Sequence, residues 1–218
     1  AAGYHEPLIH KKIMLYKEFL SAIAIGLTCI AFFPYIRSII YGHIKPHVFS
    51  WFIWGTTTFV VFLAQLEDNG GAGAWPIGFS GGITILIALL AYLKRADISI
   101  TKTDWFFLGS AMSSLPFWFF TSNPLWAVVI LTVVDVCGFG PTIRKAYSAP
   151  QTESMRFFSL FAARNLITIA ALENYTTTTV LFPAVISVAC ILLIIMVGYR
   201  RRVAGKNLIS SLKCDNYR

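Results

Sequence analysis

The sequence Phe-Pro-Tyr-Ile-Arg occupies positions 33–37, and the related sequence Gly-Pro-Thr-Ile-Arg occupies positions 140–144. The offset of 107 residues between them also aligns the apolar segments on either side without a gap. The aligned pairs that carry this comparison are Pro34 and Pro141, Arg37 and Arg144, Pro76 and Pro183, Ser80 and Ser187, Tyr92 and Tyr199, and Arg95 and Arg202. Self-similarity at a fixed spacing indicates an internal repeat.

The composition is that of a membrane protein. Hydrophobic residues make up 56% of the 218 residues, charged residues only 13%, and the mean hydropathy is +0.67. A helix needs about 20 mostly apolar residues to cross a bilayer, and no segment alternates as a barrel strand does. The sequence predicts an all-α polytopic membrane protein whose seven transmembrane helices cover 20–41, 47–66, 72–93, 105–121, 124–146, 155–172 and 176–199.

The number of helices in each repeat determines the predicted domain organisation. Two directly fused three-helix copies would cross the membrane in opposite directions, whereas one intervening helix restores the same direction. We therefore predict two parallel three-helix repeats, at 20–95 and 123–202, joined by a linker helix within 96–122. Residues 1–19 form a polar lead-in, either frayed or lying on the membrane surface, and residues 203–218 form a cytoplasmic tail.

The basic residues sort by loop and predict the orientation. Fourteen of the eighteen Lys and Arg residues follow the first, third, fifth or seventh segment, and the positive-inside rule makes that side cytoplasmic. Lys11, Lys12 and Lys17 are exceptions on the other side. We expect an external amino terminus and a cytoplasmic carboxyl terminus. The basic residues behind the net charge of +8 are then expected mostly at the cytoplasmic membrane surface, and nucleic acid is not an expected partner.

The three-plus-one-plus-three plan resembles the SWEET and PQ-loop transporter superfamily. The resemblance covers residues 20–202 and rests on the proline motifs at 33–37 and 140–144, followed in the first repeat by Ser-Trp-Phe-Ile-Trp at 50–54. The glutamine of the family's Pro-Gln pair is replaced by Tyr35 and Thr142. The resemblance implies transport of a sugar, amino acid or vitamin-like solute, with Pro34 and Pro141 as hinges. Proline removes a helix hydrogen bond and can kink the axis; the alternative is that these prolines only shape static helices.

Two charges fall at the midpoint of predicted spans, Asp135 in the fifth and Arg164 in the sixth. A charge at that depth costs at least about 2.5–3.5 kcal/mol on insertion scales, so we expect each to face the bundle interior and to pair with the other. They would bind a polar solute or exchange a proton during transport, unless they form only a structural ion pair. The neighbouring and symmetry-related polar residues are Asn165, Thr28, Thr57 and Thr58.

Aromatic residues mark the start of the second helix in each repeat. Trp51 corresponds to Phe158 and Trp54 to Phe161. Trp51 and Trp54 are three residues apart, as are Phe158 and Phe161, so the two rings of each repeat lie on one helix face. Trp51, Trp54 and Phe161 would form walls of a solute cavity if they face inward, or an interfacial aromatic belt if they face outward.

These features predict a carrier or facilitator of a small polar solute that works by alternating access. The alternative is a seven-helix receptor or cargo-binding protein on the same scaffold. No residue pattern predicts an enzyme, a cofactor or a metal site, and the seventh span lacks the lysine that a retinal photoreceptor needs. Protons are a candidate coupling ion, and a homo-oligomer remains open.

Overall fold

The computed structural model describes residues 6–43, 46, 48–94, 102–148, 150–152 and 155–215. Within these ranges the chain is helical and contains no strand. The α-helices are α1 (Glu6–Ile40), α2 (Val48–Glu67), α3 (Trp75–Leu93), α4 (Lys102–Thr121), α5 (Pro124–Ser148), α6 (Met155–Ala171) and α7 (Thr177–Asp215), and two short 3-10 helices cover Gly71–Ala74 and Pro150–Thr152. The predicted fold class is confirmed to this extent.

The first and last helices extend well beyond the predicted spans. α1 begins at Glu6 rather than at residue 20, and α7 continues to Asp215 through most of the predicted tail. The added segments are rich in Lys, Leu, Glu and Arg, which favour helices in water as well as in lipid. The polar lead-in and the tail are therefore not separate from the helices that they adjoin.

Four helices are long and apolar enough to cross a bilayer, which fits a multi-pass membrane protein. They contain the segments Lys11–Ile40, Val48–Glu67, Gly71–Leu93 and Thr177–Val203. Pro124–Gly140, within α5, is a shorter apolar helix. α6 has 17 residues, or about 26 Å at 1.5 Å per residue. Four spans, rather than seven, therefore follow from length and composition within the described ranges.

The two halves of the chain use the same arrangement of neighbours. α3 packs against both α1 and α2, and α7 packs against both α5 and α6, while α1 with α2 and α5 with α6 make almost no contact among the described residues. Between the halves, α1 packs against α6 and α2 packs against α5. Exchanging α1 with α5, α2 with α6 and α3 with α7 leaves this set of contacts unchanged. α4 lies mainly against α5.

Glycine brings α2 and α3 close together. A Cβ atom added at Gly55 would lie 2.6 Å from Ile85 Cγ1 and 2.9 Å from its backbone nitrogen, and one added at Gly78 would lie 2.7 Å from the Phe62 ring. Gly82, by contrast, has no heavy atom within 4 Å of such a Cβ. Gly55 of α2 and Gly78 of α3 thus serve close helix packing.

Candidate solute site

Asp135 lies at the contact between α5 and α2. Its side chain is 9% exposed, and its Oδ1 accepts a hydrogen bond from the Thr57 hydroxyl at 3.1 Å. The same hydroxyl lies 3.0 Å from the carbonyl oxygen of Trp54, so its one proton is shared between two acceptors. The hydrogen bond joins the two halves at positions that the sequence places near the membrane midplane.

Arg164 is the largest side chain with less than 2% exposure among the described residues. Its NH1 donates to the carbonyl oxygen of Pro76 at 3.1 Å, and its NH2 donates to Asn165 Oδ1 at 3.0 Å. The Phe161 ring covers one face of the guanidinium, with 4.4 Å from Arg164 Cζ to the ring centroid. Nε is buried and has no hydrogen-bond partner.

The expectation that the two charges pair with each other is wrong. Within the described residues Asp135 is bound by a threonine hydroxyl, and Arg164 by a carbonyl, an amide and an aromatic ring. The long arginine side chain reaches the first turn of α3, whereas the short aspartate side chain reaches only α2. Each charge is therefore buried against neutral groups.

The other predicted polar residues are also buried. Asn165 fixes Arg164 through its Oδ1 and donates from Nδ2 to the Phe161 carbonyl at 2.9 Å. Thr28 is 0% exposed and donates to the carbonyl of Ala24, four residues earlier in α1. Thr58 is 8% exposed, next to Thr57. The structure thus brings Asp135 together with Thr57, and Arg164 together with Asn165 and Phe161.

The predicted aromatic residues pack inside the bundle. Trp51 contacts Tyr35 and Trp54, with ring centroids 4.9 and 5.7 Å away, and Phe32 packs against both Trp51 and Phe161. A Cβ atom added at Gly138 of α5 would lie 2.8 Å from Trp54 Nε1, so this indole also sits between the halves. The three rings thus pack against other helices of the bundle, and their role as walls of a solute cavity stays a prediction.

The predicted hinge residues differ in what surrounds them. Pro34 lies within α1 with its side chain exposed, and the Ser38 hydroxyl donates to its carbonyl at 2.9 Å. Pro141 lies within α5, but its side chain is outside the described residues. Pro76 lies in the first turn of α3, where proline has no backbone hydrogen bond to break, so it does not kink that helix.

The two halves are also joined at the end of the bundle formed by residues 67–74 and 172–176, the α2–α3 end. Glu173 Oε1 accepts from the Ala72 backbone nitrogen at 2.9 Å, and Asn174 Nδ2 donates to the Asp68 carbonyl at 3.0 Å. Thr176 donates to the Asp68 carboxylate, and Lys17 of α1 donates to the Leu172 carbonyl. These contacts join the two halves at this end of the bundle.

Sequence reasoning missed two buried polar side chains. Thr168 and Gln65 are 0% exposed, and Thr168 Oγ1 and Gln65 Oε1 have no hydrogen-bond partner. Gln65 Nε2 donates across the halves to the Thr179 carbonyl at 2.7 Å. The sequence signal for Thr168 was its position four residues after Arg164, which places both on one helix face.

An apolar surface groove of about 450 Å³ lies elsewhere, between α2 and α3. It is lined by Val48, Phe49, Phe52, Ile85, Ala88, Leu89 and Tyr92. None of the predicted site residues is among them, so this groove is not the predicted site.

Comparisons with protein-family models, with curated proteins and with solved structures give no match. The SWEET and PQ-loop resemblance therefore remains a prediction from the sequence motifs.

Proposed function

We propose that this protein is a membrane transporter that moves a small polar solute between its two halves by alternating access. In this proposal all seven helices span the bilayer, α1–α3 and α5–α7 are parallel repeats on a SWEET-like plan, and α4 is the linker. The amino terminus is external and the carboxyl terminus cytoplasmic, which makes the α2–α3 end external.

The observation that carries the proposal is the burial of Asp135 and Arg164 without charged partners among the described residues. A buried charge that lacks an opposite charge is strongly unfavourable, and ionisable groups inside a membrane bundle are functional by default. Asp135 lies on the contact between the halves, where a solute would pass. A solute or proton that binds to Asp135 and Arg164 during each cycle would supply the missing partners and would account for both residues.

The reciprocal packing of the halves supports the alternating part of the proposal. The contacts of α1 with α6 and of α2 with α5 supply two related interfaces about which one half can rock against the other. The hydrogen bonds at the α2–α3 end close one entrance. At the other end, an aromatic cluster packs α1, α2 and α6 together. It consists of Phe32, Trp51, Phe157 and Phe161. Opening the two ends in turn would give alternating access.

The test is uptake by proteoliposomes from a panel of labelled sugars, amino acids and organic acids. We expect wild-type protein to transport at least one class, and the Asp135→Asn variant to reduce that rate at least tenfold. Glu18→Gln is the matched control, because Glu18 is an exposed carboxylate of α1, and it should transport at the wild-type rate. Absence of flux for the whole panel would refute the proposal, and binding without flux would favour the receptor alternative.

A further inference from the structure

The hydrogen-bonding capacity of Arg164 is only partly used. A guanidinium has five N–H donors. Two bonds, to Pro76 and Asn165, anchor its NH1 and NH2 groups, and Phe161 covers one face. Nε remains without a partner although the side chain is 1% exposed. The side chain is therefore held in place with one donor edge left over.

Thr168, about one turn further along α6, adds a second buried donor without a partner. Three buried threonines donate to the carbonyl four residues earlier in their helix: Thr28, Thr84 and Thr132, at 2.8, 2.8 and 2.6 Å. Thr168 Oγ1 has no partner, although the carbonyl of Arg164 stands at that position. Because residues four apart are neighbours on a helix surface, the free hydroxyl and the free Nε edge belong to one region of α6.

The chemistry of Arg164 Nε and the Thr168 hydroxyl indicates which kind of ligand would satisfy both donors. Both can donate a hydrogen bond, and the surrounding charge is positive, with no carboxylate bound to Arg164 among the described residues. A water molecule or a sugar hydroxyl could accept a hydrogen bond but would leave the charge uncompensated. A carboxylate supplies both the negative charge and two oxygens in the plane that a guanidinium matches.

We infer that Arg164 and Thr168 form the binding point for the carboxylate of a small organic anion. One carboxylate oxygen accepts from Arg164 Nε, and the group also accepts from the Thr168 hydroxyl. Asn165 and the Pro76 carbonyl are positioning groups that hold the guanidinium. This inference deepens the proposed function and rests on it for the statement that the bound anion is the transported solute.

The test measures binding directly, so that it does not depend on flux. Wild-type protein in lipid nanodiscs is titrated with potassium propionate, and binding is followed by intrinsic tryptophan fluorescence and by the thermal unfolding temperature. Propionamide has nearly the same shape without the charge, glucose represents neutral sugars, and potassium chloride represents simple anions. We expect propionate to bind at least tenfold more tightly than any of these three.

The variants assign the binding to the two residues. Arg164→Lys keeps the charge but loses Nε and the planar fork, and Thr168→Val keeps the shape but loses the hydroxyl. Each should weaken propionate binding about tenfold or more, since each variant removes a hydrogen bond to a charged group. Thr168→Ser should retain binding. Thr132→Val is the matched control, because Thr132 is a buried α5 threonine whose hydroxyl is already used within its own helix.

Equal binding of propionate and propionamide, equal binding of chloride, or unchanged propionate affinity in Thr168→Val would overturn the inference. If Arg164→Lys does not fold, the Thr168 variants and the ligand comparison in wild-type protein still decide it. Propionate binding without flux would refute transport but keep the site. Flux of glucose without propionate binding would keep transport and refute the carboxylate site.

Discussion

The two halves of this protein share an arrangement of helices but differ at positions that the offset of 107 residues relates. The first half has Thr28 in α1 and Thr57 in α2, whereas the second half has Asp135 in α5 and Arg164 in α6. All four side chains are at least nine-tenths buried. Thr28 donates to a backbone carbonyl, and Thr57 lies within hydrogen-bond distance of the Trp54 carbonyl and the Asp135 carboxylate, whereas Arg164 keeps Nε without a partner among the described residues. A bundle of this kind thus does not need charges at these positions, and their presence in one half requires another reason.

The halves differ in helix packing as well. Gly55, Gly78 and Gly81 of the first half correspond to Ala162, Val185 and Val188 of the second. The α2–α3 pair is consequently joined by close backbone contact, whereas the α6–α7 pair has side chains at the same positions. One half is specialised for tight packing and the other contains the charges.

The largest predicted effect comes from moving a negative charge into the first half. The offset of 107 residues relates Asp135 of α5 to Thr28 of α1, and Thr57 of α2 to Arg164 of α6. The counterpart of the Asp135–Thr57 contact is therefore a contact between Thr28 and Arg164. Thr28→Asp should place a carboxylate opposite Arg164 and form the ion pair that the natural protein lacks. We expect propionate affinity to fall at least about a hundredfold, because displacing a buried ion pair of this kind takes about 3–5 kcal/mol.

Thr28→Asn is the control for this experiment, since it has nearly the same shape without the charge and should leave propionate affinity within about threefold of wild type. Equal affinities of the Thr28→Asp and Thr28→Asn variants would mean that the two halves are not related in this way.

The next largest effect concerns the packing difference. Gly55→Ala gives the first half the residue that the second half has at Ala162. The added Cβ would lie 2.9 Å from the backbone nitrogen of Ile85, so that α2 and α3 must separate. We expect a loss of about 2 kcal/mol in the free energy of unfolding, as is typical of overpacking, measured by thermal unfolding in nanodiscs.

Gly82→Ala is the matched control for Gly55→Ala, because its Cβ would meet no heavy atom within 4 Å. It should be neutral or stabilising, since alanine favours helices by up to about 1 kcal/mol over glycine. Equal destabilisation by both variants would contradict the assignment of close packing to Gly55.

Much of the helical plan could be predicted from the sequence, because apolar segments of sufficient length between polar loops are read directly from composition. The ends of α1 and α7 could not, since the span test measures lipid-compatible length and helices continue into water wherever Lys, Glu and Arg favour them. The burial of Asp135 and Arg164 followed from the energetics of charge in lipid. Their partners did not, because whether Arg164 reaches Asp135 or the Pro76 carbonyl depends on side-chain conformation and helix rotation. The unused hydroxyl of Thr168 likewise depends on what surrounds it in three dimensions.

A smaller effect is expected when the hydrogen bond between Thr57 of the first half and Asp135 of the second half is removed. Thr57→Val removes the donor to Asp135 Oδ1 with little change in shape. We expect the free energy of unfolding to fall by about 1 kcal/mol, the usual net contribution of one hydrogen bond. Thr58→Val is the adjacent control, because Thr58 makes no hydrogen bond to Asp135, and its unfolding temperature should stay near that of wild type. A larger loss in Thr58→Val than in Thr57→Val would contradict the role assigned to this bond.

The smallest effect is expected at the α2–α3 end, where the hydrogen bond between Glu173 and Ala72 is exposed. Glu173 accepts from the Ala72 backbone nitrogen, beside Gly71, whose φ of +60° places the chain against the Glu173 carboxylate. Glu173→Gln removes the charge from this bond and should weaken closure of this end by about 0.5–1 kcal/mol. A two- to fivefold larger open population then lowers the apparent KM for external solute by up to the same factor, because apparent affinity scales with the fraction of competent protein.

Glu67→Gln is the control, because Glu67 is an exposed carboxylate at the end of α2, and this variant should leave KM unchanged. A higher KM in Glu173→Gln would mean that these contacts hold the entrance in its solute-accepting form rather than closing it.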